Sequence, residues 1–285
     1  MREWLSILHE AVGFWKQFFT GPSVILFYLG LLGGKVAFFG LLVLLARLCS
    51  RRIKTPVAPA FDINWDMVAV AQVFFVFLSF QAVAIFFKNP LMGSEQLGGL
   101  VSVWSVIEYL FLFVLIWVIL RFVLRNDLAH VGWHVGDFKE EGAVALRGMI
   151  VVIILAVLTN FLYWTEILER SSKIIERVTL KDIFSNGVFS VIQVILVLLL
   201  SPVAEETFYR GFIYPVLRNK LPPALSGILL SLFFAAVHFQ WGYFVLLFFM
   251  SYAATMAYEK TRRLMAPVAI HIFYNVLVLF GLFSY

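Results

Sequence analysis

The sequence predicts an all-α protein, a polytopic membrane helix bundle of about eight transmembrane helices with amphipathic helices at the interface. Of its 285 residues, 62% are hydrophobic and only 14% are charged. Soluble domains carry about 45–50% apolar and about 25% charged residues, so this chain lies outside that class. Its apolar runs recur along most of the length and are separated by short polar or proline-containing segments. This composition is typical of a multi-spanning membrane protein.

Eight apolar runs are long enough, or nearly so, to be read as transmembrane helices. We predict them at about Val24–Leu48, Met67–Phe87, Leu100–Leu124, Met149–Trp164, Val188–Ala204, Ala224–Phe239, Tyr243–Tyr258 and Pro267–Phe283. Two further segments, Met1–Thr20 and Thr165–Gly187, have apolar residues at helical spacing among charged ones. That pattern predicts amphipathic helices that lie along the membrane surface.

Two ionisable residues lie within the N-terminal spans. Lys35 follows two glycines in the first span, and we interpret it as a structural polar residue that snorkels or meets a carboxylate. Glu108 lies in the first half of the third span, and we interpret it as a water-accessible charge near a helix end, with a role beside a functional site as the alternative. Residues 1–186 carry no recognisable motif. Residues 187–285 form the predicted catalytic core of one integral membrane domain.

The positive charges predict how the chain is oriented. The net charge is +5 and is spread through the loops, which indicates membrane orientation and no nucleic-acid partner. If the amino terminus is outside, the cytoplasmic loops hold most of the basic residues, namely Arg47, Arg51, Arg52, Lys54, Arg121, Arg125, Lys139, Arg147, Arg210, Arg218, Lys220, Lys260, Arg262 and Arg263. We therefore predict that both termini lie outside, in a prokaryotic cytoplasmic membrane, and that Arg210, Arg218 and Lys220 mark an exit to water.

A cluster of polar residues in the last third of the chain stands out. It comprises Glu205, Glu206, Arg210, His238, His271 and Asn275, which all fall within or beside predicted spans. Placing an ionisable side chain at membrane depth costs about 2.5–3.5 kcal/mol on insertion scales, so such residues are rare and usually line a functional cavity. The cluster therefore predicts a site.

The two adjacent glutamates can have different roles, one in an ion pair and the other as an acid or base. Glu206 and Arg210 are four residues apart, so on a helix they share a face and can pair. Glu205 then points about 100° away around the helix axis. The guanidinium neutralises one carboxylate, while the other is left to act as acid or base. We predict Glu205 as the base that takes a proton from water, with His238 sharing that task or holding the water.

His271 and Asn275 are also four residues apart and share a helical face. An imidazole and a carboxamide aimed at one point can donate hydrogen bonds to a developing oxyanion. In this interpretation water attacks directly, and no serine or cysteine nucleophile is needed. The alternative is a metal-dependent protease in which Glu205, His238 and His271 are the ligands of an open three-ligand site. No cofactor is predicted otherwise.

Three short motifs resemble those of the CPBP family, which is named for CAAX proteases and bacteriocin-processing enzymes and is also called Abi. The family pattern is EExxxR, then FxxxH, then HxxxN or HxxxD, on successive helices. This sequence has Glu205 to Arg210, Phe234 to His238 and His271 to Asn275 in that order. Each motif alone is weak, whereas all three in order are specific. The resemblance covers about Val188 to Tyr285.

The resemblance implies a helical intramembrane glutamic protease similar to the Ras-converting CAAX endopeptidase. Glu205 would be the catalytic base assisted by His238, His271 and Asn275 would form the oxyanion hole, and Glu206 and Arg210 would support the site. The implied partners are membrane lipids and a peptide or lipid-modified peptide substrate. The alternative within the family is a non-proteolytic membrane protein with an immunity or partner-binding role.

Overall fold

The structure is a computed structural model, and it describes residues 22–53, 60–92, 98–134, 136–164, 196–240 and 243–279. Within these ranges every regular element is helical. The amphipathic helices predicted at Met1–Thr20 and Thr165–Gly187 lie outside the described residues. The all-helical membrane bundle is confirmed, and the chain is an integral membrane protein.

The N-terminal helices are long. They are α1 (Pro22–Arg52), α2 (Met67–Met92), α3 (Gly98–Val118) and α4 (Phe138–Trp164). A π-helical turn, Ile119–Val123, continues α3, and a short 3₁₀ helix, Leu128–Val131, precedes α4. The fourth helix begins eleven residues before the predicted Met149, because the polar turn from Phe138 onward is helical and is capped by the Asp137 carboxylate.

The C-terminal helices are shorter and interrupted. A π-helical segment, Leu196–Leu200, leads into α5 (Ser201–Glu206), a second π-helical segment (Thr207–Ile213) and α6 (Tyr214–Arg218). They are followed by α7 (Pro223–Val237), α8 (Phe244–Thr261) and α9 (Met265–Leu279). The fifth predicted span thus continues past Ala204 as helix as far as Arg218.

Four helices of the described chain are long and apolar enough to cross a membrane, by length and composition. They correspond to residues Leu26–Arg52, Met67–Ala84, Val106–Val123 and Phe138–Leu158. The other predicted spans fall in the C-terminal part, where the described residues do not test the count of about eight. There α7 has 15 residues, which rise only about 22 Å along a helix axis, whereas the hydrocarbon core is about 30 Å thick.

The short helices are packed inside the long ones. Helix α8 packs against α4, α7 and α9, and α1 packs against α2 and α7. The second π-helical segment lies in the middle of this arrangement, and all seven of its residues are buried. One of them, Gly211, lies so close to the 3₁₀ helix that an added Cβ would come within 2.8 Å of the Val131 carbonyl oxygen. The second π-helical segment, which carries Arg210, is therefore enclosed by protein.

Candidate active site

The EExxxR motif lies where an α-helix changes to a π-helix. Glu205 and Glu206 end α5, and Arg210 lies within the π-helical segment that follows. The backbone N–H of Tyr214 donates to the Tyr209 carbonyl, five residues back, as a π-helix requires. Such bulges occur mostly inside α-helices and frequently at functional sites. The sequence analysis assumed a regular α-helix here and did not predict this irregularity.

Glu206 and Arg210 form a completely buried ion pair. The Arg210 Nη1 atom donates to Glu206 Oε1 at 2.7 Å, and both side chains are 0% exposed. The predicted pairing is thus present, but the predicted exit to water at Arg210 is wrong. Arg210 stays inside because Nη2 also donates to the Ser251 carbonyl at 2.9 Å and to Ser251 Oγ at 2.8 Å. Ser251 was missed, since a serine in an apolar helix carries no distinctive signal.

The same Glu206 oxygen also holds His271. Nδ1 of His271 lies 2.8 Å from Glu206 Oε1, and both side chains are buried. The three groups thus form one connected network that joins α5, the π-helical segment and α9. If Glu206 is ionised beside the guanidinium, His271 Nδ1 carries a proton and Nε2 is the atom left for a substrate. The sequence did not predict this contact.

Glu205 faces His238 instead. Nε2 of His238 lies 3.6 Å from Glu205 Oε2, slightly beyond hydrogen-bond distance, and the side chains are 24% and 12% exposed. Nδ1 of His238 lies 2.6 Å from the Phe234 carbonyl, so Nδ1 donates that bond and a neutral ring presents an unprotonated Nε2 to Glu205. The Glu205 carboxylate and His238 Nε2 are then both hydrogen-bond acceptors. A hydrogen-bond donor placed between them could bind to both.

Phe234, the first residue of the FxxxH motif, lies between the two histidines. Its ring centroid is 4.4 Å from that of His238 and 5.8 Å from that of His271. The Arg210 guanidinium lies 5.0 Å from the same centroid, within range of a cation–π contact. The phenylalanine therefore sets the spacing between the Glu205 side of the site and the Glu206 side.

The residue after His238 has a strained backbone. Phe239 has a φ of +54°, in the left-handed region that bulky residues rarely adopt. Its ring packs against α1, where an added Cβ on Gly34 would come within 2.6 Å of the ring, and its centroid is 5.8 Å from that of Phe38. The first span therefore holds the end of α7 on which His238 lies.

Asn275 lies one helical turn beyond His271 on α9 and is half-buried. The helix thus carries the imidazole and the carboxamide on one face, as the spacing predicted. The role of the pair as an oxyanion hole stays a prediction.

A cavity of about 350 Å³ opens beside Glu205 and His238. Its wall is mostly apolar and comes from α1, α2 and α3 as well as from the motif-bearing helices. Lys35 and Glu108, which the sequence analysis interpreted as structural or water-accessible charges, both line it. Lys35 Nζ donates to Gln81 Oε1 at 3.1 Å. The long N-terminal helices therefore contribute polar groups to the functional cavity.

The described residues contain no group of three His, Cys, Asp or Glu side chains arranged to hold a metal ion. His238 faces Glu205, whereas His271 contacts Glu206. The ligand set of the metal-dependent alternative is therefore not assembled as it stands.

Residues 187–277 match the family of type II CAAX prenyl endopeptidases, Rce1-like. This segment is thus similar to the CAAX proteases of the CPBP family. A relative from Bacillus subtilis (strain 168), the putative membrane peptidase YdiL, is 21% identical over 211 residues, which cover 69% of this chain and 80% of that protein. No solved structure matches the chain significantly. The matched segment covers all three motifs and, together with this relative, points to a membrane protease.

Proposed function

We propose that this protein is an intramembrane glutamic endopeptidase that hydrolyses a peptide bond in a membrane-associated peptide. The observation that carries the proposal is the facing pair of Glu205 and His238, 3.6 Å apart at the wall of the cavity. A carboxylate and an unprotonated imidazole nitrogen can accept the two protons of one water molecule and leave its oxygen lone pair aimed at a carbonyl carbon.

The reaction then follows in two steps. Water attacks the scissile carbonyl carbon, and Glu205 takes one of its protons while the carbonyl oxygen becomes an oxyanion. When the tetrahedral intermediate collapses, the carbon–nitrogen bond breaks and the proton held by Glu205 passes to the leaving amine. The products are an amine and a carboxylic acid, which loses its remaining proton to solvent and becomes a carboxylate, and the glutamate returns to its ionised form. No covalent intermediate with the protein is formed.

His271 and Asn275 stabilise the oxyanion in this proposal. Since Nδ1 of His271 is engaged with Glu206, the ring can donate from Nε2 only as an imidazolium. A charged donor is stronger than the neutral one that the sequence analysis assumed. The negative charge of the oxyanion balances this positive charge in the transition state. Removing one oxyanion donor typically costs about 10²–10³ in rate.

The substrate in this proposal is a peptide, prenylated at a CAAX-type carboxyl terminus or otherwise held at the membrane. The large apolar share of the cavity wall supports an apolar substrate segment. No cofactor is required. The site is proposed to open toward the cytoplasmic face of a prokaryotic inner membrane, with both termini outside, because the basic loops fall on that side.

The decisive experiment measures cleavage of a fluorogenic prenylated CAAX peptide by purified protein in lipid nanodiscs. Glu205→Gln and His271→Gln should each reduce kcat by at least about 10²-fold. Glu259→Gln is the matched control, since Glu259 is a partly buried glutamate that pairs with Arg218 and Arg262 away from the cavity, and it should retain activity. A parallel reaction with a chelator should proceed at an unchanged rate.

Loss of activity on chelation would overturn the glutamic mechanism in favour of a metal. Full activity of Glu205→Gln in folded protein would exclude Glu205 as the base. An unprenylated version of the same peptide tests the lipid requirement. Tight binding of both peptides without cleavage would favour the non-proteolytic role.

A further inference from the structure

We propose that Tyr109, on the third span, is a positioning residue for the catalytic base Glu205. This inference rests on the proposed function and extends the site to a helix outside the segment that matches the CPBP family model, which covers residues 187–277. The sequence analysis gave Tyr109 no role, because a tyrosine in an apolar run is ordinary in a membrane protein.

The placement of Tyr109 is the first support. Helix α3 packs against α5, which carries Glu205 at its end. Tyr109 lines the same cavity as Glu205 and His238. A phenol on α3 therefore approaches the carboxylate from a different helix than His238, which follows α7.

The surroundings of the Tyr109 phenol are the second support. The phenol interacts with the side chains of Ser201 and Glu205, which both lie on α5. A carboxylate only accepts hydrogen bonds, so in the proposed arrangement the phenol O–H donates to Glu205 and the phenol oxygen accepts from the Ser201 hydroxyl. Ser201, Tyr109 and Glu205 then form a short donor chain. Ser201 and Glu205 are four residues apart on α5, so one helix supplies both ends of the chain.

The consequence for Glu205 concerns its orientation. Its Oε2 atom is buried without a hydrogen bond in the structure and is the atom nearest His238 Nε2. A donor that engages the carboxylate from α3 restricts rotation of the group and keeps this oxygen facing the imidazole. Tyr109 therefore fixes which oxygen takes the proton from water.

Other groups also act on Glu205, and a test must separate their effects. The charged and titratable side chains that interact with Glu205 are His238, His271, Arg210, Tyr209 and Tyr109. Glu108, one residue before Tyr109, acts electrostatically on the phenol. Tyr109 and Glu108 lie on α3, and the charged Lys35 of α1 lines the same cavity. A Tyr109→Phe substitution removes the donor and leaves the ring and every other group in place.

The experiment has two readouts in the full-length protein. The first is infrared difference titration of the carboxyl band of Glu205, assigned by subtracting Glu205→Gln. Loss of a hydrogen bond to the ionised carboxylate favours its protonated form, so we expect the band to titrate at higher pH in Tyr109→Phe. The second is the pH–rate profile for peptide cleavage. We expect its acidic limb to move to higher pH, with kcat about 10-fold lower and KM unchanged, as one hydrogen bond to a charged group predicts.

Tyr214→Phe is the matched control, because the Tyr214 phenol donates to the Glu259 carboxylate at 3.1 Å, away from the cavity. It should leave both readouts near wild type. Ser201→Ala should reproduce the shift of Tyr109→Phe in weaker form. An unmoved Glu205 band in Tyr109→Phe would overturn the proposal even if the peptide is cleaved. A shifted band in a protein that cleaves no peptide would support the contact while contradicting the proposed function.

Discussion

The N-terminal helices and the C-terminal helices differ in what covers their apolar side chains. In the four long apolar helices only 11–28% of the residues in the span windows are buried within the protein. In α7, by contrast, ten of fifteen residues are buried, and the π-helical segment beside it is buried throughout. The first group presents its apolar side chains to lipid, and the second group presents them to protein.

The difference explains where the charges can lie. A side chain that faces lipid cannot find a polar partner, whereas one enclosed by other helices can be satisfied from several sides. Arg210 illustrates this, because it reaches Glu206 and two atoms of Ser251 from a position with no exposure. The long helices thus provide an enclosure in which a charged site is stable.

Removing the buried cation should have the largest effect on stability. Arg210→Met leaves Glu206 and its carboxylate charge without a balancing guanidinium, and breaking a buried ion pair costs about 3–5 kcal/mol. We expect a large drop in the apparent Tm in detergent. Arg51→Met, at the exposed end of α1, should leave the Tm within error. Equal Tm values for the two variants would contradict the enclosure of Arg210.

Placing a charge on the lipid-facing side of α4 should have the next largest effect. Ile150 is 47% exposed near the middle of its span, so Ile150→Lys should raise the free energy of membrane insertion by about 2.5–3.5 kcal/mol. The readout is the fraction of protein that resists alkaline extraction from membranes. Ile150→Leu keeps the apolar surface and should match wild type. Normal integration of the lysine variant would mean that this face is covered by protein.

A substitution in the first span should reach the active site through packing. Gly34→Leu forces the Phe239 ring away from α1, and overpacking of this kind costs about 1–3 kcal/mol. Because Phe239 follows His238, we also expect peptide cleavage to fall about 10-fold, the change in rate that about 1.4 kcal/mol produces. Gly33→Leu is the control, since nothing lies within 4 Å of its added Cβ. Equal activity of both variants would separate α1 from the site.

The smallest effect is expected where the two groups of helices are tied together at one end. The Asn219 side chain accepts from the backbone N–H groups of Ala60 and Phe61 and donates to the Phe61 carbonyl, at 2.8–2.9 Å. Asn219→Ala should cost about 1–3 kcal/mol locally and speed hydrogen exchange at the Phe61 amide. Asn64→Ala, on the same segment but exposed, should leave that exchange rate unchanged.

The sequence was informative about helices and about the motif residues. Apolar runs placed each described helix to within several residues, except that α4 begins earlier and α5 continues further. The pairing of Glu206 with Arg210 followed from their spacing of four and is present at 2.7 Å. Such predictions succeed because helical periodicity is a local property of the chain.

Other features depend on contacts between distant residues and could not be derived locally. Hydrophobicity is the same for side chains that face lipid and for those that face protein, so the sequence could not tell the buried α7 from a lipid-facing span. It also placed Arg210 at an exit to water, because a basic residue after an apolar run usually marks one. The contact of His271 with Glu206 joins residues 65 positions apart. Lys35 and Glu108 line the cavity because α1 and α3 pack against the motif-bearing helices, which are distant in sequence.

The shortness of α7 has a consequence for how a peptide reaches the site. This helix has 15 residues, which rise about 22 Å and fall about 8 Å short of the hydrocarbon thickness. A bilayer meets such hydrophobic mismatch by thinning locally or by drawing polar groups inward. Where α7 meets lipid, the aqueous phase therefore comes nearer to the depth of His238. Unpaired backbone amides are costly in hydrocarbon. An extended peptide therefore has less hydrocarbon to cross where the layer is thinner.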